Sequence, residues 1–423
     1  TTPEVARRLD PRWSHFVSTD PGLPHVRELG TSWNQAASQP AYGCADLSVA
    51  TTLDGSRLLS LVQLDLRGGP VRGAGATGTG AQTVVYASEG AMYVADAVAP
   101  PAGRGWQTAS LVRKFELGTG GQPRLAASGV VRGHALNQFA LSEHAGHLRI
   151  ATSDQWSGNS LYVMRATGDS LGVVGAVENL AVNERIYSVR MMGDRGYVVT
   201  FRRTDPLYTL DLSVPSQPRV VGELKVEGWS SYLHPLGNNH LLAVGQDADG
   251  AGRATGFHLQ VFDVTDPRNP TRKFHHKLAA GSTSGAEGDH HAFMFEPETM
   301  TLSVPWKSDS YFGLIAFRVD PRQGFVDLGR VNHALMYKQY FQRQCAKASG
   351  PECRTSNYWY NFVSRAAIVV DRVVAIDDQL YSVSPAGMMV HRVGAEQLSL
   401  TTSVLVAAPA WRASSPGAVA TGW

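Results

Sequence analysis

The 423-residue sequence has little net charge, few cysteines and no long apolar run. Its 38 Lys and Arg residues nearly balance 36 Asp and Glu residues, and a formal charge of +2 excludes a strongly basic nucleic-acid coat or an acidic tail. We therefore expect no nucleic-acid partner. No window approaches the roughly 18 to 20 uninterrupted apolar residues of a membrane-spanning helix, so we also expect no transmembrane segment.

Three cysteines are present, Cys44, Cys345 and Cys353. The last two bracket a short polar stretch that could close as a small disulfide loop in an oxidising compartment. Cys44 is then the odd thiol, and we interpret it as a small buried apolar residue, although a metal or radical site could recruit it. The start of the chain, Thr1 to Glu4, lacks both an initiator Met and a charged-then-apolar signal, which is typical of a mature or trimmed chain.

The sequence pattern divides the chain into an arm, a repetitive body and a tail. Residues 1–43 show no sustained helical or strand period, which predicts an irregular N-terminal arm. From residue 44 to residue 410, short apolar or alternating runs bounded by Gly, Asp, Asn or Pro predict strands. Within this body, residues 332–362 interrupt the pattern and are expected to form a long inserted loop, and residues 411–423 form a tail.

An internal repeat is the strongest signal in the sequence. Three similar strand-like segments, 208–213, 259–266 and 315–320, contain the marker residues Asp211, Asp263 and Asp320, and proline follows each segment. The markers stand 52 and 57 residues apart. A period of roughly 40 to 50 residues made of four strands is typical of a β-propeller blade. The longer spacing here predicts blades with longer loops.

A second repeated feature is an apolar hairpin of strand, polar turn and strand, which occurs in six places. It predicts an all-β propeller of six four-stranded blades. Seven blades is the alternative, because residues 45–66 are left over to complete the ring. The six hairpin segments are 83–96, 139–148, 187–197, 232–241, 292–300 and 373–383.

Six segments carry a resemblance to a known family: Leu136–Ala140, Asn183–Arg190, Gly193–Phe201, Asp205–Tyr208, Ser230–Pro235 and Asp289–Phe293. Through them the sequence between residues 83 and 390 resembles the secreted beta-propeller domain proteins of bacteria and archaea. His234 and His290 match histidines of that family, whereas His134 stands where many members carry an apolar residue. The resemblance implies an extracytoplasmic propeller, often lipid-tethered, with a largely unassigned biochemical role.

Three histidines are candidate metal ligands, His134, His234 and His290, which are 100 and 56 residues apart. These spacings correspond to about two blades and one blade, so the imidazoles could converge on the axis and hold a metal with an open position. The alternative is a set of hydrogen-bonded core or channel histidines. Strand alternation would turn Asp289 and His291 away from His290, and a mostly imidazole site suits copper or zinc better than magnesium or calcium.

Two further residues are candidates for substrate chemistry. Arg190 and His234 each stand three residues before a turn glycine. Arg190 could therefore face the same central channel of the propeller as His234 and bind an anionic group of a substrate. A structural salt bridge is the alternative. A nearby tyrosine such as Tyr232 could join one-electron chemistry at copper, although a packing role is the alternative.

These candidates lead to a functional hypothesis with copper as the favoured cofactor. It is an extracytoplasmic propeller that holds a transition metal for oxidative modification of a substrate, for which a peptide or protein is one candidate. Zinc would instead imply a hydrolase or lyase that uses an activated water.

The competing hypothesis is a non-catalytic propeller that binds a protein or polysaccharide. Its binding surface would be the inserted loop, whose aromatic residues include Tyr337, Tyr340, Phe341 and Trp359. One other motif, Asp247-Ala-Asp249-Gly250, resembles the start of a calcium loop but lacks the later Glu, and we interpret it as a β-turn.

Overall fold

The computed structural model describes residues 25–27, 38–40, 43, 46–48, 58–63, 72–77, 82–118, 123–154, 158–201, 205–308, 311–334, 336, 339 and 370–405. Two compact units divide the chain, residues 1–202 with 206–224, and residues 203–205 with 225–423. In the part of the chain that the structure describes, no helix has the length and apolar character needed to cross a bilayer. The predicted disulfide cysteines, Cys44, the aromatic residues of the inserted loop and the C-terminal tail lie outside the described residues.

The N-terminal part of the first unit contains five short strands. Within the predicted irregular arm, β1 (His25–Arg27) and β2 (Ser38–Pro40) form an antiparallel pair. The next three strands form one sheet in the order β3, β5, β4, in which β4 and β5 make an antiparallel hairpin and β3 is parallel to β5. Their bounds are β3 (Leu47–Ser48), β4 (Leu58–Gln63) and β5 (Arg72–Thr77).

Twelve strands follow in groups of four, each group in sequential order within its sheet. The first two groups are joined by one parallel pair, Ser128 with Ser170. The strands are β6 (Thr83–Ala87), β7 (Ala91–Val98), β8 (Ala109–Glu116) and β9 (Arg124–Arg132); β10 (Leu141–His144), β11 (His147–Ser153), β12 (Asn159–Thr167) and β13 (Ser170–Leu180); β14 (Arg185–Met192), β15 (Arg195–Phe201), β16 (Asp205–Asp211) and β17 (Arg219–Val226).

The second unit continues the same plan with three four-stranded antiparallel sheets. Their strands are β18 (Trp229–Leu236), β19 (His240–Ala248), β20 (Ala254–Asp263) and β21 (Thr271–Ala280); β22 (Met294–Glu296), β23 (Thr301–Ser308), β24 (Tyr311–Asp320) and β25 (Gly324–Asn332); β26 (Arg372–Ile376), β27 (Gln379–Ser384), β28 (Gly387–Val393) and β29 (Leu398–Leu405).

The repeat predicted from the sequence has a structural cause at the end of the third strand of a group. Asp211, Asp263 and Asp320 are the last residues of β16, β20 and β24. Each carboxylate accepts a hydrogen bond from the backbone N–H two residues later, at distances of 3.1, 3.0 and 2.6 Å. An aspartate in this position fixes the turn that ends a strand. The repeated aspartates therefore mark the turn between the third and fourth strands.

The second and third strands of the four-stranded sheets supply the core. In β11, β15 and β19 nearly every residue is buried, as expected for strands covered on both faces. Large side chains such as Tyr93 and Phe115 in the first unit, and Phe257 and Phe317 in the second, are fully buried. The all-β prediction is thus confirmed, with six four-stranded groups and one three-stranded sheet among the described residues.

Candidate functional site

His134, the first predicted ligand, lies in the connection between β9 and β10. Its backbone forms an isolated bridge with Ser153, and its Nδ1 atom lies 3.5 Å from the hydroxyl oxygen of Ser110. Burial lowers the pKa of the imidazole, and the nearby Asp154 carboxylate opposes that shift. His134 is therefore a half-buried residue whose environment favours the neutral ring.

His234 lies on β18 in an aromatic cluster. Its ring centroid is 5.1 Å from that of Phe293 and 5.3 Å from that of Phe295. The Tyr232 hydroxyl lies 3.4 Å from His234 Nδ1, and the Tyr232 ring packs 4.9 Å from Phe293. The two candidates Tyr232 and His234 are thus adjacent, as their alternation on one strand predicts.

His290 lies in a 3₁₀ turn, His290–Ala292, and this corrects the expectation of strand alternation. Asp289 caps the turn: its Oδ1 atom accepts from the His291 backbone N–H at 2.9 Å and lies 3.0 Å from His291 Nδ1. The two imidazole centroids are only 3.8 Å apart. The tight turn brings Asp289, His290 and His291 to one side, with donor atoms within 4.8 Å of one another, and Arg372 pairs with the other carboxylate oxygen at 2.8 Å.

Arg190 lies on β14 with its guanidinium carbon 4.2 Å from the centre of the Phe139 ring. This distance is typical of a cation–π contact. His134 and Arg190 belong to the first compact unit, whereas Tyr232, His234 and His290 belong to the second. Convergence of the three predicted imidazoles on one metal accordingly stays a prediction.

A different group of potential ligands lies on one face of the β18 to β21 sheet. Asp247 is on β19, His258 on β20 and His275 on β21. The strand register pairs His258 with Gly245 on one side and Lys277 on the other. Because directly paired residues share a face and alternate residues return to it, this register places the three side chains together.

The donor atoms of this group form a compact triangle. His275 Nε2 lies 3.3 Å from His258 Nδ1. Asp247 Oδ1 lies 3.9 Å from His258 Nδ1 and 3.8 Å from His275 Nε2. Asp247 is only 6% exposed and His258 fully buried, and Asp247 Oδ1 has no hydrogen-bond partner among the described residues. An oxygen in that state is costly to bury, so the site is suited to an additional cation or proton donor.

The imidazoles of this group are held neutral by their surroundings. Burial lowers the pKa of His258 to about 3, and the neighbouring His275 contributes in the same direction. Burial also lowers the pKa of His275, with a further contribution from Arg272. The Asp247 charge is neutralised instead by the ammonium group of Lys277, which pairs with Oδ2 and whose side chain is half exposed. Neutral rings keep the lone pairs that metal coordination requires.

Gln260 orients the buried imidazole. Its side-chain amide nitrogen lies 2.8 Å from His258 Nε2, and its Oε1 atom is buried without a hydrogen-bond partner among the described residues. In this arrangement the amide donates to Nε2. A half-turn of the amide would present Oε1 to Nε2–H instead and leave Nδ1 with a lone pair directed at Asp247 and His275, as metal-binding histidines require.

The sequence pattern alone does not predict this group. The turn predicted for Asp247-Ala-Asp249-Gly250 is confirmed, since Asp249 Oδ1 accepts from the backbone N–H groups of Ala251 and Arg253. The available signal was the alternation His258, Gln260 on one strand and His275, Lys277 on the next. That alternation becomes informative only when the register between the strands is known.

The model of the family described as "Beta propeller domain" matches residues 12–395 of this sequence. The chain belongs to the beta propeller domain family. This β-propeller is 40% identical over 190 residues to an uncharacterised protein of Methanocaldococcus jannaschii, covering 44% of this chain and 29% of the relative. It is also 40% identical over 202 residues to an uncharacterised protein of Archaeoglobus fulgidus, covering 47% of this chain and 30% of the relative. The matches span less than one third of the length of these curated relatives.

Two solved structures similar to this β-propeller are provisionally assigned 6-phosphogluconolactonases. The protein from Bacteroides fragilis has a TM-score of 0.44 and 13% identity, with 84% of this chain and 97% of that chain covered. The protein from Bacteroides uniformis has a TM-score of 0.43 and 12% identity, with 79% and 89% covered. Likeness at this level carries no information on the activity of this β-propeller.

Proposed function

We propose that this β-propeller binds a divalent transition-metal ion through Asp247, His258 and His275. The observation that carries the proposal is the triangle of donor atoms 3.3 to 3.9 Å on a side, with a buried carboxylate oxygen that has no hydrogen-bond partner among the described residues. Two imidazole nitrogens and one carboxylate oxygen are a donor set for copper, zinc, iron or nickel rather than magnesium or calcium.

Copper is the favoured ion within this proposal. For a given set of nitrogen and oxygen ligands, Cu²⁺ binds more tightly than the other first-row divalent ions. Copper would supply one-electron chemistry for oxidative modification of a substrate. We place this activity in an extracytoplasmic compartment, which the resemblance to secreted propeller proteins implies.

The residues around the triangle would adjust to the ion in two ways. Lys277, which is half exposed, would withdraw its ammonium group from Asp247 toward solvent, because two cations compete for one carboxylate. Gln260 would accept from His258 Nε2–H through Oε1 and fix the ring with Nδ1 toward the ion.

Elemental analysis of loaded protein tests the proposal directly. The protein is stripped with a chelator, incubated with copper or zinc, dialysed and analysed for bound metal per chain. The wild type should retain one ion in this site, and His258→Gln and Asp247→Asn should lose it. His234→Gln and His291→Gln serve as matched controls. His234 belongs to the predicted trio, and His291 belongs to the 3₁₀ turn capped by Asp289.

The controls separate the alternatives. Loss of metal in His234→Gln but not in His258→Gln would transfer the site to the predicted trio, and loss only in His291→Gln would transfer it to the 3₁₀ turn. A wild-type protein that retains neither copper nor zinc would refute the proposal.

A further inference from the structure

A second candidate site lies in the first compact unit, around Arg190. A cavity of about 270 Å³ opens beside the 3₁₀ turn Gln138–Ala140 and β14. Its lining combines apolar side chains with polar ones: Phe139, Leu141 and Met191, and Tyr86, Gln138, Ser142 and Arg190. Its volume is slightly below the range of about 300 to 1,000 Å³ that is typical of ligand cavities, which favours a small molecule.

The two hydroxyl groups in the lining, those of Tyr86 and Ser142, already act as hydrogen-bond acceptors. Tyr86 Oη accepts from the backbone N–H of Glu143 at 3.0 Å, and Ser142 Oγ accepts from Arg149 Nη2 at 2.7 Å. A hydroxyl group also carries one proton to donate. Since neither proton has an acceptor among the described residues, both hydroxyls can donate to a molecule in the cavity.

Two arginines lie at the cavity, Arg190 in its lining and Arg149 bonded to the lining residue Ser142. The Arg190 guanidinium, stacked on Phe139, forms part of the wall. Arg149 is only 4% exposed, donates to the Gly193 carbonyl and to Ser142, and has no hydrogen-bond partner for Nε among the described residues. The nearby carboxylate of Glu143 accepts hydrogen bonds from Tyr93 at 2.8 Å and from Ser88, and its negative charge is paired with the Lys114 ammonium group 3.5 Å away.

We propose that this cavity binds a small carboxylate with a hydrophobic substituent. The carboxylate would accept from Arg190, Tyr86 and Ser142, and the substituent would pack on Phe139, Leu141 and Met191. A lining that combines hydrogen-bond donors with apolar side chains matches a compact aliphatic or aromatic acid better than inorganic phosphate. This proposal is independent of the metal site, which lies in the other compact unit.

Binding of benzoate, measured by ligand-observed NMR titration, tests the proposal. The neutral isostere benzamide is the matched ligand, hexanoate is an aliphatic probe, and inorganic phosphate is an anion without an apolar part. Benzoate or hexanoate should bind saturably, and benzamide at least about tenfold more weakly than benzoate, because charge-assisted hydrogen bonds are lost.

Variants then assign the binding to this cavity. Arg190→Gln should weaken benzoate binding by about tenfold or more, and Tyr86→Phe by a smaller factor, because it removes one neutral donor. Arg165→Gln, which alters an exposed arginine on β12, is the control and should bind like the wild type. Thermal unfolding midpoints verify that each variant is folded; if Arg190→Gln is not, Arg190→Lys and Tyr86→Phe carry the test.

Several results would overturn the proposal. These are the lack of saturable binding for both benzoate and hexanoate, equal affinity for benzoate and benzamide, and phosphate binding as tight as benzoate binding. Equal effects of the Arg190 and Arg165 substitutions would also overturn it.

Discussion

Acidification should destabilise this β-propeller through His333, a fully buried imidazole that follows β25. Its Nε2 atom lies 2.8 Å from Ser382 Oγ and its Nδ1 atom 3.1 Å from Ser384 Oγ. Burial lowers the pKa of His333 from 6.5 to about 4, and the neighbouring His391 contributes in the same direction. The folded protein therefore keeps the ring neutral at pH values at which an unfolded chain would protonate it.

The pKa difference gives both the sign and the size of the effect. Well above pH 6.5 neither state carries the proton, and the full stability is present. As the pH falls below 6.5, the unfolded chain takes up a proton that the folded protein does not bind until about pH 4. The free energy of unfolding therefore decreases through this window, by about 3 kcal/mol from this residue, and levels off below it.

Urea unfolding of the wild type and of His333→Gln, between about pH 7.5 and about pH 4, measures this contribution. Glutamine can hydrogen-bond to the serines but does not titrate. The stability of the wild type relative to the variant should fall by about 3 kcal/mol across the window. A relative stability that stays constant, or that rises on acidification, would refute the reasoning.

Three further substitutions test other parts of the structure. Asp96→Asn removes the charge that neutralises buried Arg113 and should lower the free energy of unfolding by about 3 kcal/mol in urea titrations. The double variant Asp96→Asn/Arg113→Met should recover part of this loss, because it no longer buries an unpaired cation. Gly129→Ala places a Cβ atom 2.0 Å from a backbone oxygen of the neighbouring strand and should therefore lower the thermal unfolding midpoint. The control Gly172→Ala, at an exposed glycine whose added Cβ would have nothing within 4 Å, should lower the midpoint much less. Lys277→Met removes the cation that competes for Asp247 and should tighten copper binding in a competition titration; unchanged or weaker binding would contradict this role.

The sequence could predict the repeat because its markers act locally. Asp211, Asp263 and Asp320 each bind a backbone N–H only two residues away, so their role does not depend on the rest of the fold. The hairpin glycines Gly193 and Gly237 are equally local, since both adopt the positive φ that favours glycine. Short-range interactions of this kind leave a readable pattern in a single sequence.

The face on which a side chain lies could not be predicted where the strand pattern breaks. His290 and His291 were expected to alternate, but the Asp289 cap winds them into a 3₁₀ turn. The register between β20 and β21 shifts at two places, between Gly256 and His258 and between Val261 and Phe262. Each shift changes which residues of neighbouring strands share a face, and it depends on packing that one sequence does not reveal.

The pairing of β9 with β13 has a consequence for self-association. Both are the fourth strands of their groups and would otherwise present unpaired backbone groups to another chain. At Ser128 and Ser170 the two strands pair with each other, and the Ser128 N–H donates a hydrogen bond of 2.9 Å to the Asp169 carbonyl oxygen. The side-chain-free surface of Gly129 permits this approach. The contact thus covers part of two sheet edges to which a strand of another chain could otherwise pair.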